Sequence, residues 1–239
     1  MRLFINQPLA VGNSITLNAD TTHRLQKVMR ARVGDAVTLF NGKDGEYVGE
    51  ITSLSKKSAT VLLSEHSQVD RESPLKVSLI QGISRGNRMD YTIQKSVELG
   101  VSAIIPVATK RSMVKLDEER KDNRMQHWQG VIHHACEQSG RTRVPQLHSP
   151  LPIKDIAELP DIDTSLFMDT QGTTRIADID PPQAHVYLIS GPEGGFDDDE
   201  RQWIRELGVT PIKLGPRILR TETAALAAIS VIQQLWGDL

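Results

Sequence analysis

The sequence has little cysteine and few aromatic residues. Its 239 residues include a single cysteine, Cys136, and 4% aromatic residues. One cysteine excludes a disulfide framework and fits a reducing compartment. So few aromatic rings disfavour a nucleic-acid surface built on stacked bases. The first residues also lack an apolar run long enough for a signal peptide or a membrane span, so we expect a cytoplasmic protein.

Several ligand-binding motifs are absent as well. No Gly-Lys-Ser/Thr follows a glycine loop, which excludes a P-loop, and the G-x-G-x-x-G spacing of dinucleotide-binding loops is missing. His133, His134 and Cys136 lie within four residues on one predicted helix, with no second pair at ligand spacing, so we expect no metal site. The net charge is -2, so any surface for nucleic acid must be a local patch.

The first 70 residues have the pattern of a small β domain. Strand-like runs cover residues 36–40, 46–52 and 58–64. One helix is predicted over residues 22–31, with Leu25, Val28 and Met29 on its apolar face. The polar stretch 66–74 ends in proline and is typical of a linker. These elements predict a small barrel with one helix.

After residue 74, strands alternate with helices. Strands are predicted at residues 76–83, 101–107, 144–147, 165–169, 185–190 and 209–214. Helices are predicted at residues 89–99, 117–139, 197–207 and 222–236. This alternation predicts an α/β domain with a mostly parallel sheet and helices on both of its faces.

Two glycine-rich loops lie near the C-terminus. They are GPEGGF at residues 191–196 and LGPRILR at residues 214–220, and each follows a predicted strand and precedes a predicted helix. Glycine lets the backbone approach a ligand closely, and ligands of open α/β sheets bind at the carboxyl ends of strands. The two loops therefore predict one composite pocket.

Local signals around these loops predict helix starts and an unusual surface. Asp197 and Glu200 have capping-box spacing, and Thr221 can cap the last helix. Ile218 and Leu219 either cover an apolar ligand such as a purine ring or pack into the core. The last helix is apolar nearly all round, which predicts burial or a subunit interface.

The loop sequences also carry a family resemblance. GPEGGF followed by LGPRILRTETAALAAI (residues 214–229) resembles SPOUT-class RNA methyltransferases and is most similar to the small-subunit ribosomal RNA methyltransferase E family. The ribose-methylating branch of the class has Ser-Leu-Asn where this chain has Arg-Thr-Glu-Thr-Ala, which indicates the base-methylating branch. Further similar stretches, HRLQKVMRARVGD, QKSVELGVSAIIP and ACEQSGRTRVP, extend the resemblance over nearly the whole chain, at residues 23–35, 94–106 and 135–145.

This resemblance implies a fold, a cofactor and a reaction. It implies a PUA-like RNA-binding barrel at residues 1–70 and a SPOUT domain at residues 74–239 with a deep C-terminal trefoil knot. It also implies a homodimer that uses S-adenosylmethionine to methylate N3 of one uridine in 16S ribosomal RNA of the small subunit. The cofactor-binding residues that it implies are Met168, Thr170, Gly191, Pro192, Glu193, Gly194, Gly195, Leu214, Gly215, Ile218, Leu219, Arg220 and Thr223.

Three residues of the two loop regions are candidate catalytic groups. When the uracil imide loses its proton, negative charge spreads to the flanking carbonyl oxygens. A fixed guanidinium stabilises such charge as it develops, and we expect Arg220 to supply it. Glu222 or Glu193 is the expected proton acceptor. The alternative is a local role, a turn contact for Glu193 and a favourable place in the first helical turn for Glu222.

Basic residues form a candidate RNA-binding surface. Four of them, and no acidic residue, lie between Thr21 and Val33. A charge cluster alone is typical of a solvated face, but together with the resemblance it indicates phosphate contacts. The predicted RNA-binding residues are Arg2, Arg24, Lys27, Arg30, Arg32, Arg85, Arg88 and Arg111.

Two other functions fit the same sequence. One is a SPOUT RNA methyltransferase with a different base target. The other is a non-catalytic RNA-binding factor of ribosome assembly that kept the fold. Binding of S-adenosylmethionine separates the enzymes from the assembly factor, and methylation of defined RNAs separates the two enzymes.

Overall fold

The computed structural model describes residues 1–112 and 118–239, which divide into two units. Unit 1 comprises Met1–Glu72 and Cys136–Val144, and unit 2 comprises Ser73–Ala135 and Pro145–Leu239. The linker expected at residues 66–74 lies at the first boundary between the units. The segment Cys136–Val144, which returns to unit 1, has no counterpart in a division at one linker. Among the described residues, no helix is long and apolar enough to cross a bilayer.

Unit 1 is built on a five-stranded sheet with one helix. The strand order is β1-β3-β4-β5-β2, in which β1 and β3 are parallel and the other neighbours are antiparallel. The side chains of Leu3, Leu39, Ile51, Val61 and Leu63 are buried in its core. The elements are β1 (Arg2–Phe4), β2 (Ser14–Leu17), α1 (Ala19–Lys27), β3 (Ala36–Phe40), β4 (Glu46–Leu54) and β5 (Ala59–Ser67).

Helix α1 begins and ends earlier than the predicted helix over residues 22–31. The Asn18 side chain accepts a hydrogen bond from the Thr21 amide at 2.9 Å and caps the helix. Beyond the helix the chain turns through Arg30, which has a φ of 54°. Val28, predicted on the apolar face, is therefore 74% exposed, whereas Leu25 is buried. The side-chain cap and the early turn determine the helix ends here, so the apolar spacing extends past the helix.

Unit 2 contains the predicted parallel sheet. Its order is β12-β10-β11-β6-β7-β8, β9 also pairs with β7, and every pairing is parallel. The unit contains β6 (Lys76–Gly82), α2 (Asn87–Glu98), β7 (Ala103–Ala108), α3 (Glu118–Ser139, whose residues from Cys136 belong to unit 1), β8 (Gln146–Leu147), β9 (Leu151–Pro152), β10 (Leu166–Met168), β11 (His185–Ser190), α4 (Asp198–Glu206), β12 (Thr210–Ile212) and α5 (Thr221–Trp236). Asp117, the first residue of the predicted third helix, lies outside the described residues.

The central strands of this sheet are buried along almost their whole length. In β6 and β11 only the first residue is not fully buried, as apolar runs in parallel strands predict. Beside them, Phe167 and Phe196 pack edge to face with ring centroids 5.5 Å apart. Because β10, β11 and β12 are parallel, their carboxyl ends lie at one edge of the sheet, and the loops that follow them meet there.

Candidate functional site

A cavity of about 650 Å³ lies at the carboxyl ends of β10, β11 and β12. Its lining includes residues 167–170 at the end of β10, 190–196 at the end of β11 and 212–222 from the end of β12 to the start of α5. A cavity of this size suits a small-molecule ligand. The glycine pattern of the sequence predicted a pocket formed by the second and third of these segments, and the family resemblance added Met168 and Thr170 of the first.

The loop after β10 is fixed by a buried carboxylate. The Asp169 side chain is fully buried, its Oδ1 accepts the Gln171 amide at 3.0 Å, and its Oδ2 accepts Arg205 Nε at 3.0 Å. Arg201 Nε lies 3.8 Å from Oδ1. Both arginines come from α4. The carboxylate therefore holds the bend next to Met168 and Thr170, and the sequence pattern did not single it out.

The loop after β11 approaches the end of β6 closely. A Cβ atom at Gly82 would lie 2.4 Å from both Pro192 Cδ and Pro192 N, so only glycine fits there. Gly195 has a φ of 65°, a conformation that glycine adopts without strain. The GPEGGF sequence thus supplies the backbone freedom that the loop needs, and Gly82 supplies the space.

Glu193 is held by two donors. The Arg85 amide and Arg88 Nη1 donate to its Oε1 at 2.9 and 3.1 Å. Burial alone would raise the pKa of Glu193, but the hydrogen bonds from the Arg85 amide, from its own amide and from Arg88 outweigh burial and lower it. Its carboxylate is therefore ionised at neutral pH and ties the glycine loop to the start of α2.

A hydrogen-bond network joins β6 to both glycine loops. Gln81 Nε2 lies 3.1 Å from the Gly191 carbonyl oxygen and 3.1 Å from Thr221 Oγ1. The Thr221 hydroxyl donates to the same carbonyl. The sequence predicted that Thr221 caps α5, and this prediction is wrong, because Thr221 is the first residue of the helix and its hydroxyl makes this tertiary contact. The capping position is Arg220, whose guanidinium has no acceptor atom and makes no side-chain capping bond.

The loop after β12 presents an apolar side chain and two cations. Ile218 is 87% exposed and lines the cavity, so its predicted alternative of packing into the core is wrong. Arg217 and Arg220 are exposed at the same wall. Next to them, Glu222 Oε2 is buried without a hydrogen-bond partner among the described residues. The loop therefore combines an apolar contact, positive charge and one carboxylate oxygen without a donor.

Most of the predicted cofactor-binding residues line this cavity. Thr223 does not, because it lies on the exposed side of the first turn of α5. The residues that line it are Met168, Thr170, Gly191, Pro192, Glu193, Gly194, Gly195, Leu214, Gly215, Ile218, Leu219 and Arg220. The three candidate catalytic groups, Arg220, Glu193 and Glu222, lie there too, and so do the predicted RNA-binding residues Arg88 and Arg111.

The start of α4 follows the predicted capping box. The Asp197 side chain accepts the Glu200 amide at 2.7 Å, and the Glu200 side chain accepts the Asp197 amide at 3.0 Å. Lys110 Nζ lies 2.7 Å from Asp197 and 2.8 Å from Asp199, and these hydrogen bonds raise the pKa of the lysine. Arg111 Nη1 donates to the Gly194 carbonyl at 3.0 Å, so the loop after β7 also supports the glycine loop.

Two of the basic residues predicted in unit 1 are engaged within that unit. Arg2 donates to Glu46 at 3.2 Å and to the carbonyls of Cys136 and Arg141 at 2.7 and 2.8 Å. Arg24 forms an ion pair with Glu137. These contacts argue against phosphate contacts by Arg2 and Arg24, because the guanidinium groups already have partners. Lys27, Arg30 and Arg32 are exposed.

The single cysteine is not a reactive group. Cys136 is fully buried, and burial raises the pKa of its thiol to about 12. No group of three or more histidine, cysteine, aspartate or glutamate side chains that could hold a metal ion occurs in the described part of the chain.

Two family models match the chain. The model of an RNA methyltransferase domain matches residues 71–233, and the model of an RNA methyltransferase PUA domain matches residues 17–64. These matches agree with the parallel sheet of unit 2 and the mixed sheet of unit 1. The fold is therefore a PUA-like domain followed by a SPOUT-type α/β domain.

Named relatives and solved structures extend over the whole chain. The chain is 32% identical to ribosomal RNA small subunit methyltransferase E of Buchnera aphidicola subsp. Acyrthosiphon pisum (strain APS), over 99% of this chain and 94% of that protein. It resembles the crystal structure of a protein of that name from Neisseria gonorrhoeae bound to S-adenosyl methionine, with a TM-score of 0.92 and 40% identity, over 100% of this chain and 98% of that one. It also resembles a putative methyltransferase of Legionella pneumophila in complex with SAM, with a TM-score of 0.96 and 38% identity over the same shares. The chain thus belongs to the RNA methyltransferase family and, within it, to the ribosomal RNA small subunit methyltransferase E proteins.

Proposed function

We propose that this protein is an S-adenosylmethionine-dependent methyltransferase of small-subunit 16S ribosomal RNA that methylates N3 of one uridine. The observation that carries the proposal is the glycine-walled cavity with Arg220 at its edge. The solved relatives from Neisseria and Legionella, both described with S-adenosylmethionine bound, support the cofactor. The family name supports small-subunit ribosomal RNA as the substrate. The resemblance of residues 214–229 to the base-methylating branch supports methylation of a base.

The cavity fits this cofactor in size and in its lining. Its backbone carbonyl and amide groups can bond the polar edges of an adenosine, and the exposed Ile218 can cover an apolar ring face. A Cβ atom at Gly191 would lie 3.2 Å from the Phe196 ring, so the loop leaves little space for a side chain there. When bound, S-adenosylmethionine supplies a methyl group that its sulfonium charge makes electrophilic.

Arg220 is the proposed electrostatic catalyst. Its side chain is exposed at the cavity and has no hydrogen bond or ion pair with another described residue. Its guanidinium is therefore available for the uracil carbonyl oxygens, on which negative charge develops as the imide proton leaves.

Glu222 is the proposed proton acceptor, in preference to Glu193. Glu222 Oε2 has no donor among the described residues, so a bond to an incoming proton replaces no existing contact. The carboxylate of Glu193 is occupied by Arg85 and Arg88, and its lowered pKa makes it a weak base. We assign Glu193 the role of holding the glycine loop.

Exposed basic residues in both units are the proposed RNA contacts. Arg88 and Arg111, which the sequence also predicted, are left out because their guanidinium groups already contact Glu193 and the Gly194 carbonyl. The proposed contacts are Lys27, Arg30 and Arg32 in unit 1 and Arg85 in unit 2. Each can neutralise a phosphate, which makes the binding dependent on salt. The low aromatic content supports contacts with the RNA backbone over stacking on bases.

Three further properties belong to this proposal. The first is a cytoplasmic location, because bacterial ribosomal RNA, the substrate of the named relatives, is modified in the cytoplasm. A homodimer would cover the exposed Val231 and Leu235 of α5, and light scattering of the purified protein tests it. The trefoil knot that the resemblance implies stays a prediction.

Methylation of defined RNA tests the proposed function. Purified protein, S-adenosylmethionine and 16S RNA, free or in small subunits, should yield N3-methyluridine, identified by mass spectrometry of nucleosides. Arg220→Ala should lower kcat at saturating cofactor and RNA by about 100-fold or more. Arg175→Ala removes an exposed arginine of the same unit outside the cavity lining and serves as the matched control.

The other outcomes identify the competing functions. Methylation at another base would show a SPOUT enzyme with a different target. RNA binding with no heat of S-adenosylmethionine binding in calorimetry would show a non-catalytic assembly factor. Turnover of Arg220→Ala near the wild-type value would show that the role assigned to Arg220 is wrong.

A further inference from the structure

The residues beneath the two glycine loops form a shared support. Gln81, near the end of β6, is 1% exposed, and its Nε2 lies 3.0 Å from the Gly82 carbonyl and 3.1 Å from both the Gly191 carbonyl and Thr221 Oγ1. The Thr221 hydroxyl in turn donates to the Gly191 carbonyl. One carbonyl oxygen of the first glycine loop thus faces donors from β6 and from α5.

The support has a cost that an apolar side chain would avoid. Gln81 Oε1 is buried with no partner among the described residues, and an unsatisfied buried acceptor destabilises a fold. A methionine of similar length would bury no such oxygen. The amide group is therefore best explained by its two N–H donors, which link Gly191 to Thr221.

Both linked residues occupy key places at the cavity. Gly191 begins the loop that lines one wall, and Thr221 directly follows Arg220 on another. The adjacent Gly82 lets Pro192 approach the same strand end. A change in this network would therefore move the first glycine loop and the backbone of Arg220 relative to each other.

We propose that Gln81 and Thr221 are positioning residues that set the distance between the two glycine loops, and thereby cofactor affinity and the placement of Arg220. The inference rests on the proposed function, because it assigns both loops to one cofactor. The Gln81 side chain is buried outside the cavity lining, whereas Thr221 is part of the lining. Each acts through the Gly191 carbonyl.

Four substitutions test this role. Thr221→Val keeps the shape and removes the hydroxyl, and Thr221→Ser keeps the hydroxyl. Gln81→Met removes both donors and the unpartnered oxygen. Ser230→Ala is the matched control, because it removes another hydroxyl of α5 that lies outside the cavity lining. The Ser230 hydroxyl donates to the Leu226 carbonyl at 2.9 Å. Calorimetry with S-adenosylmethionine, steady-state kinetics, thermal unfolding and amide hydrogen exchange are measured for each.

We expect Thr221→Val and Gln81→Met to bind S-adenosylmethionine about tenfold more weakly and to lose kcat at saturating cofactor. Thr221→Ser should restore both, and Ser230→Ala should change neither. In the protein without cofactor, exchange of the amides of residues 193–195 should be faster in Thr221→Val than in Ser230→Ala. Gln81→Met should keep or raise the unfolding temperature, so a loss of affinity there is not a loss of folding.

Wild-type affinity, kcat and loop exchange in both Thr221→Val and Gln81→Met would overturn the positioning role. Thr221→Ser as impaired as Thr221→Val would overturn the role of the hydroxyl. A wild-type protein that binds no S-adenosylmethionine would overturn the proposed function instead, and the hydrogen exchange of residues 193–195 would still decide whether the network holds the loop.

Discussion

Asp169 and Arg205 form an ion pair in which the carboxylate is fully buried and the guanidinium is partly exposed. The pair joins the loop after β10 to α4, and the Gln171 amide and Arg201 complete the surroundings of the carboxylate. Removing one partner of such a pair costs more than the pair itself contributes, since the remaining charge stays buried.

Arg205→Ala should therefore lower the free energy of unfolding by about 2 kcal/mol, because Arg205 is partly exposed and Arg201 still lies near the carboxylate. It should also weaken S-adenosylmethionine binding, because the loop that carries Met168 and Thr170 loses its anchor. Urea unfolding and calorimetry measure the two effects. Gln202→Ala, on the exposed surface of the same helix, is the control. Equal stability of the two variants would contradict the anchoring role of Asp169.

Gly82→Ala should disrupt the cavity from below. The new methyl group would lie 2.4 Å from Pro192 Cδ, so the glycine loop must move, at a cost of about 1–3 kcal/mol in stability. Cofactor binding should fall with it. Gly130→Ala in α3 is a matched change, because a Cβ atom there meets nothing within 4 Å, and it should stabilise the protein by up to about 1 kcal/mol. Thermal unfolding and cofactor titration compare the two, and an unaffected Gly82→Ala would show that the close approach is not required.

Glu193→Gln should reveal a stabilising carboxylate and not a catalytic base. The pKa of Glu193 in the folded protein is below its ordinary value of 4.5, so its charge stabilises the fold above pH 4.5 and this contribution is lost as the pH falls through the lowered pKa. The stability difference between wild type and Glu193→Gln should thus be present at neutral pH and disappear at lower pH.

The pH dependence of kcat should keep its shape in Glu193→Gln. Unfolding curves between about pH 3 and pH 7, a range that covers the titration of carboxylates, measure the stability difference. A pH–rate profile measures the effect on kcat. Loss of the acidic limb of the profile in this variant would instead identify Glu193 as the proton acceptor, because a base loses activity when it is protonated at low pH. Glu50→Gln, at an exposed position of unit 1, is the control.

Arg30 and Arg32 should bind RNA phosphates. Replacing both by alanine should weaken RNA binding and lower the slope of log affinity against log salt by about 2, because two phosphates are no longer neutralised. Cofactor affinity should not change. Lys56→Ala with Lys57→Ala removes the same charge from another exposed place in unit 1. An equally weakened RNA affinity in that control would show that overall charge, and not this patch, determines binding.

Arg24 illustrates why the basic patch had to be revised. Sequence alone predicted a surface of basic residues around α1, because no acid lies between Thr21 and Val33. The acid that pairs with Arg24 is Glu137, more than a hundred positions away. Charge patterns along the chain therefore identify the region but not which of its cations are free.

Local signals predicted local structure well. The capping box of Asp197 and Glu200 is confirmed, because both partners lie within one helical turn. The strand at residues 36–40 is confirmed as well. By contrast, β1 and β2 span three and four residues, too few to show a period in the sequence.

The support of the cavity could not be predicted in this way. Gln81 and Thr221 are 140 positions apart, and Asp169 and Arg205 are 36 apart. Such pairs leave no periodicity in the sequence, and Thr221 has the residue type of a helix cap although the capping position is Arg220. Only the tertiary fold shows that its hydroxyl is used elsewhere.

The composition of unit 1 has a consequence for synthesis on the ribosome. The Phe4 amide donates to Glu137 Oε1 at 3.0 Å, and Thr142 donates to the Val69 carbonyl at 3.0 Å. Residues 136–144 therefore form part of the folded unit that contains the first 72 residues. A nascent polypeptide must therefore emerge past residue 144 before its amino-terminal portion closes. A fragment cut at residue 72 should remain only partly ordered.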